Sequence, residues 1–166
     1  FDTRGKSIIA PTFDKIRVRN HHLIEVKTEE GLKLFNRSGE QIETELFYSL
    51  SEFNEGVAVA RFRLNCNSQK YLNPTDPEWS KEMSFKFGFV DSTGVLVIPF
   101  KFDDTGSFNR GLAPVKKDDK WALVNRNGLL VCDYKYDHVQ YAGENRYAFR
   151  QGKLWGILNL KGEEVV

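Results

Sequence analysis

Five glycines set the frame of this chain. Gly5, Gly39, Gly94, Gly128 and Gly162 are spaced by 34, 55, 34 and 34 residues. The long interval is one period plus 21 residues, so one copy carries an insertion. A fixed period of this length means repeated supersecondary units that stack, because no single unit buries its own apolar face. Three residues before each glycine stands Asp2, Asn36, Asp91, Asn125 or Asn159. Asp or Asn at the first place of a type I turn bonds the turn backbone, and glycine at the fourth accepts the left-handed conformation. An acid or amide repeated five times reads as a turn residue, since catalysis does not need five copies.

Strands flank each turn. Before it, a large residue alternates with a small or polar one at Leu32–Leu34, Phe87–Phe89, Trp121–Leu123 and Trp155–Ile157. That is the period of a strand, and Gly88, Ala122 and Gly156 beside the aromatic point to a close backbone approach. After the turn, Ile8, Ile42, Val97, Val131 and Val165 share one apolar place, and Phe13, Phe47, Phe102 and Tyr136 follow five residues on. Asp14, Asp103 and Asp137 come next. Pro11 and Pro99 make this second strand short, bent or an edge. A third strand alternates at Ile24/Val26, Ala58/Ala60, Ala113/Val115 and Tyr147/Phe149, introduced by Phe53-Asn54-Glu55-Gly56 and Phe108-Asn109-Arg110-Gly111. The fold expected is all-β: tandem 34-residue, three-stranded antiparallel β-meander repeats, four units and a partial fifth, in an open stack. A small β-propeller or barrel is the alternative. The whole chain, 1–166, reads as one domain with an inserted extended hairpin at about 62–85.

The insertion falls between the third strand of one copy and the first strand of the next. Alternation continues into it: Ala58, Ala60, Phe62, Leu64 and Cys66 on one face, Arg61 and Arg63 on the other, and Met83, Phe85, Phe87 and Phe89 on the return. This predicts strands over about 57–66 and 82–91. Asp76 before Pro77 fits a helix start, one turn near 77–82. The tip holds Tyr71 and Trp79, residues that anchor interfaces, while Arg61 and Arg63 suit a carboxylate or phosphate. The competing reading, which carries more weight for Trp79, folds that ring back to cover the arm's own apolar face.

Composition excludes several functions. With 24 Lys and Arg against 23 Asp and Glu there is no basic block, so nucleic acid is not an expected partner. No apolar run approaches the roughly 18 residues a membrane helix needs; no signal-peptide pattern is read either, which is no evidence for the cytoplasm in a chain that reads as a fragment. The chain begins at Phe1 inside a repeat and reads as a mature or excised fragment, a monomer or part of a larger chain. His21, His22 and His138 show no metal-ligand spacing, and no phosphate-cradling or nucleophile motif occurs, so no cofactor, metal or catalytic residue is expected. Cys132 and His138, about 20 Å apart along a strand, are too distant for a dyad. Cys66 and Cys132 are either two buried thiols or one disulfide. Asn36-Arg37-Ser38 fits a glycosylation sequon but lies on a turn every unit has.

Lys120-Trp121-Ala122-Leu123-Val124-Asn125-Arg126-Asn127-Gly128, Trp155-Gly156-Ile157-Leu158-Asn159-Leu160-Lys161-Gly162 and Phe108-Asn109-Arg110-Gly111-Leu112-Ala113-Pro114-Val115 resemble the bacterial WG (Trp-Gly) repeat. The resemblance covers nearly the whole chain except the insertion. Only Trp155-Gly156 keeps the naming dipeptide; Trp121 precedes Ala122, Phe87 replaces Trp, and Leu32-Lys33 is degenerate. The resemblance implies an all-β repeat module of bacterial proteins, often multidomain or exported, with no general catalytic residues. The function expected is a non-catalytic interaction module that binds a protein partner through the repeat surface and the inserted hairpin, with Tyr71, Trp79, Arg61 and Arg63 as contacts. A carbohydrate or cell-envelope glycan binder is the alternative, and an enzyme a lesser one. The glycan reading needs Trp121 or Trp155 exposed in a groove; the expectation is that both are buried in the core.

Overall fold

A computed structural model describes residues 13, 15–28, 31–63 and 85–165. Every described regular element is a strand: β1 (Lys15–Val18), β2 (Ile24–Lys27), β3 (Leu32–Phe35), β4 (Gln41–Leu50), β5 (Val57–Arg63), β6 (Phe85–Asp91), β7 (Leu96–Phe102), β8 (Asp104–Thr105), β9 (Leu112–Lys117), β10 (Lys120–Asn125), β11 (Leu130–Tyr136), β12 (His138–Gly143), β13 (Arg146–Gln151) and β14 (Leu154–Leu158). Neighbours in sequence are neighbours in the sheets. The strands form β1 to β7 in order, then β11-β10-β9-β8, then β12-β13-β14, none closed into a barrel.

The three-stranded meander is present as β2-β3-β4, β5-β6-β7 and β9-β10-β11. In the fourth unit β13-β14 is followed by a bridge from Leu158 to Glu164. A fourth short strand, absent from the sequence reading, adds to each meander. It is the direct continuation of the preceding unit's last strand: β1 pairs with β2, β8 with β9, β12 with β13, and the end of β4 with β5. One length of chain thus serves two units, which ties each to the next.

The units pack through three core layers, and alternation along each strand decides which layer a side chain enters. Leu34, Phe47, Ala58, Ala60 and Val90 fill the first layer. Val57, Phe89, Phe102, Ala113, Val115, Ala122 and Val124 fill the second. Leu112, Leu123, Tyr136, Tyr147 and Leu158 fill the third. Strands β5, β6, β9 and β10 therefore bury both faces.

The turns follow from the Asp/Asn-x-x-Gly signature. Oδ1 of Asn36 accepts from the amides of Ser38 and Glu40, that of Asp91 from Thr93 and Val95, that of Asn125 from Asn127 and Leu129, and that of Asn159 from Lys161 and Glu163. Asp2 lies outside the described residues. The turns that enter β5 and β9 also stack on each other. The Glu55 carboxylate accepts from Arg110 N at 2.6 Å and Gly111 N at 3.0 Å, and Arg126 Nη2 donates to it at 3.0 Å.

Two details refine the sequence reading of the strand after the turn. Register places Ile98 and Cys132, not Val97 and Val131, opposite Phe89 and Leu123. Ile98 is buried and Val97 is exposed. The cause is a bulge: Phe87 pairs with Phe102 and Phe89 with Ile98, so the β7 backbone around Pro99 arches over Gly88. A Cβ on Gly88 would stand 2.5 Å from the Ile98 carbonyl oxygen. The close approach read from the small residue beside the aromatic is real there, and Pro99 sits on the outer edge of the sheet.

Candidate binding surfaces

The first surface is the base of the insertion. Strands β5 and β6 pair without a register shift from Val57↔Asp91 to Arg63↔Phe85. In the third unit the matching hairpin closes at Asp118-Asp119, both with positive φ, between Lys117 and Lys120. Arg63 and Phe85 stand at the places of those two turn residues, so the 21 additional residues are 64–84. The helical turn near 77–82, the far ends of the two strands, Tyr71, Trp79 and Cys66 all lie outside the described residues. Arg61 is not held out toward solvent. Its guanidinium carbon lies 3.6 Å from the centroid of the Phe85 ring, 5.5 Å from Tyr48 and 5.6 Å from Phe87. Tyr48 and Phe85 are in turn 5.0 Å apart. Cation–π contact at three rings orders the arginine and stiffens the stem. Arg63 lies two residues further along the same face of β5.

The second surface is a cleft of about 300 Å³ between the third and fourth units. β8 and the loop after it supply Asp104 and Ser107, β10 supplies Trp121, and β12 supplies His138, Gln140 and Tyr141. The His138 ring is 5.6 Å from Trp121 at an interplanar angle of 68°, and 6.1 Å from Trp155 at 76°. His138 Nε2 and Gln140 Oε1 are 3.3 Å apart. Trp121 is half-buried, and Trp155 is 57% exposed just beside the cleft. The expectation that both tryptophans are buried in the core is therefore wrong. Trp121 lies opposite Tyr136 of β11. The chain after the Asn159 turn pairs back only at Leu158↔Glu164, and no described strand residue lies opposite Trp155 on that side.

Phe87 and Trp121 hold the same place one 34-residue period apart. Comparison with family models matches this stretch, residues 87–121, to the WG containing repeat. The match spans 35 of the 166 residues. Comparison with curated proteins and with solved structures finds no match in either set.

Within this stretch the small residue Gly88 lies under the bulge of the following strand. The structure also gives a role to Asp103 and Asp137, which the sequence shows only as residues that follow the aromatic of the second strand. Asp103 Oδ1 takes Lys86 Nζ at 2.5 Å and its Oδ2 the Asp118 amide at 2.9 Å. One period on, Asp137 takes Lys120 Nζ at 2.6 Å and the Gly152 amide at 2.6 Å. Each acid thus clamps the hairpin turn of the next unit. Lys86 above all holds the Asp103 carboxyl below the usual range, against a smaller opposing effect of burial. The repeat also spreads the histidines. His21 and His22 are exposed on a loop distant in sequence from His138, and among the described residues no group of three or more His, Cys, Asp or Glu could hold a metal ion. Cys132 is a free, partly buried thiol whose sulfur accepts from Leu123 N at 3.3 Å, and burial raises its pKa. No described helix is long and apolar enough to cross a membrane.

Sequence reasoning missed the cleft. Its polar residues, Asp104, Ser107 and Gln140, come from the fourth strand and the loop beside it, which the three-stranded reading left unassigned. The signal available was the polar stretch Asp103–Ser107 sitting between two aromatics, Phe102 and Phe108.

Proposed function

We propose that this chain is a non-catalytic interaction module that binds a protein partner through the inserted arm, with the WG repeats as its scaffold. The observation that carries the reading is the unbroken pairing of β5 and β6 up to Arg63↔Phe85. A stem whose arginine contacts three aromatic rings is ordered up to Arg63 and Phe85, and a preorganised element loses less entropy on binding. The carried segment is the one stretch that breaks the 34-residue period, and insertions in repeat proteins map to one face, often the binding face. Tyr71 and Trp79 are the anchors in this reading, with Arg61 ordering the stem and Arg63 meeting an acidic group of the partner. The histidines have no catalytic part in it.

The test is a pull-down from lysate and envelope fractions, read by mass spectrometry, with the intact chain and a 67–81 deletion as baits. A protein captured by the intact chain and lost with the deletion supports the reading, once Trp79→Ala weakens the same capture. A capture that the deletion leaves unchanged removes the arm from the function.

A further inference from the structure

We propose that Arg61, seated on Tyr48, Phe85 and Phe87 at the foot of the insertion, is a carboxylate-binding site that takes an Asp or Glu side chain of the protein partner. The source of the carboxylate rests on the function proposed above; the chemistry of the site does not.

The later units show what the second one lacks. At two crossings an acid fastens the hairpin turn of the next unit. Asp103 accepts from the Asp118 amide and from Lys86, and Asp137 from the Gly152 amide and from Lys120. A cation thirteen residues on from each acid faces it as well. Lys86 first, with Lys116 adding to it, holds the Asp103 carboxyl below its usual range, and Lys120 first, with Arg150 adding to it, does so for Asp137. Arg61 holds the place of Lys116 and Arg150 in the second unit, and Tyr48 holds the place of the acid. The turn is replaced there as well, by the 21 additional residues. Turn and carboxylate are thus lost together, and the cation remains.

That cation is unpaired. Arg61 makes no hydrogen bond or ion pair among the described residues. Its Nε is buried without a hydrogen-bond partner, while Nη1 and Nη2, also without one, are not buried. The guanidinium carbon lies 3.6 Å from the Phe85 ring centroid, so one face of the group is shielded from water. A partly buried charge is screened less than an exposed one. The end of the guanidinium offers two parallel N–H donors, the geometry a carboxylate accepts.

The position is set before any ligand arrives. β5 places Arg61 between Ser49 of β4 and Phe87 of β6. Tyr48 and Phe85, 5.0 Å apart, hold the side chain from two strands. A side chain fixed in this way gives up little freedom on taking an anion. The class of anion follows from the repeat itself, which puts a carboxylate at the matching place in two other units.

The experiment follows the Arg61 Nε–H signal of the intact chain by NMR at low salt. The probes are N-acetylglutamate methylamide, glutarate, inorganic phosphate and neutral glutaramide, each against sodium chloride at equal ionic strength. The expected result is a saturable shift with both carboxylates at millimolar concentration and none with glutaramide. Tyr48→Asp gives the site an acid of its own, so the probes bind about tenfold more weakly or worse. Arg61→Lys, which keeps the charge and loses the fork, weakens them several-fold. The 67–81 deletion leaves probe affinity unchanged, so a failure of the arm as the partner's anchor is read separately from a failure of this site. An Arg61 signal that ignores both carboxylates overturns the proposal, as does a folded Tyr48→Asp variant that binds them as wild type. Phosphate that saturates well below the carboxylates assigns the site to phosphate and overturns it too.

Discussion

The chain crosses from unit to unit in two different ways. Between the first and second units it runs as one continuous strand, β4, ten residues from Gln41 to Leu50, and the two meanders merge into a seven-stranded sheet. Between the later units it breaks at Asp103 and at Asp137, and separate sheets result. The residue at the matching place in β4 is Tyr48, which has no carboxylate to clamp a turn and instead packs on Phe85 at 5.0 Å. A different device fastens the first crossing. Arg19, with its side chain 1% exposed, donates to the carbonyls of Leu50 and Ser51, lies 3.4 Å from Glu25, and stands over the Phe53 ring. One repeat architecture is thus compatible with either a broken or an unbroken junction. An acid that must reach the next hairpin's amide bends the chain; an aromatic that needs a sheet surface keeps it straight.

That contrast can be broken most forcibly at Arg19. Arg19→Ala removes the tie on β4 and leaves Glu25, 15% exposed, without its cation. Unpairing a largely buried charge costs about 3 kcal/mol, read as a drop in urea-unfolding free energy, and the loss should fall on β1–β5 in hydrogen exchange. A loss spread evenly over all the described strands would mean that the crossings are not separate devices.

Next comes the bulge that precedes the Asp103 crossing. Gly88→Val should cost about 2–3 kcal/mol, since its Cβ meets backbone 2.5 Å away. The third unit tolerates Ala122 at the same place, so Ala122→Gly should cost about 1 kcal/mol or less. Equal costs at the two positions would show that the bulges differ little in height.

A smaller effect sits where the fourth unit meets the third. The Tyr147 hydroxyl is buried and donates to the carbonyls of Asn109 at 2.6 Å and Leu112 at 2.8 Å. Tyr147→Phe should cost about 1 kcal/mol, with the unfolding slope unchanged.

The smallest expected effect is in the pH dependence. Asp103 has its pKa lowered in the folded chain, first by Lys86, from an ordinary 3.8. A depressed carboxyl contributes stability that is fully present above its unfolded pKa and is lost as pH falls through its folded value. Acid titration of wild type should therefore show stability falling below about pH 4. Asp103→Asn should fall less steeply there, after starting lower at neutral pH. Because the pair is a third exposed, solvent and salt reduce the effect, and added salt should shrink the difference.

The repeat was legible because its determinants are local. Asp91 and Gly94 sit three residues apart and make their turn from their own side chain and backbone, so the sequence shows the turn directly. Alternation at Ala58/Ala60 and Ala113/Val115 is likewise a property of single strands. The short fourth strand was not legible, since β8 is two residues, Asp104 and Thr105, whose strand character comes only from pairing with Val115 and Lys116. Nor was the cleft, because it gathers side chains from β8, β10 and β12, three strands that no local pattern connects. The small residue at Gly88 was legible as a close approach, though what approaches it, the Ile98–Pro99 backbone, follows only from the register of β7.

In the reading proposed above, the repeats form a scaffold that stands without the insertion, and partner binding depends on it. The most direct test replaces residues 64–84 by closure of the hairpin in the third unit's manner, with Arg63→Asn and Phe85→Gly as a two-residue turn. The variant and the intact chain are compared by two-dimensional amide NMR and by titration with the protein captured by the intact chain. The account predicts a dispersed spectrum with the β9–β14 resonances in place, and no binding of that protein. A collapsed spectrum would show that the repeats need the insertion to fold, and undiminished binding would show that the partner docks elsewhere; either result contradicts it.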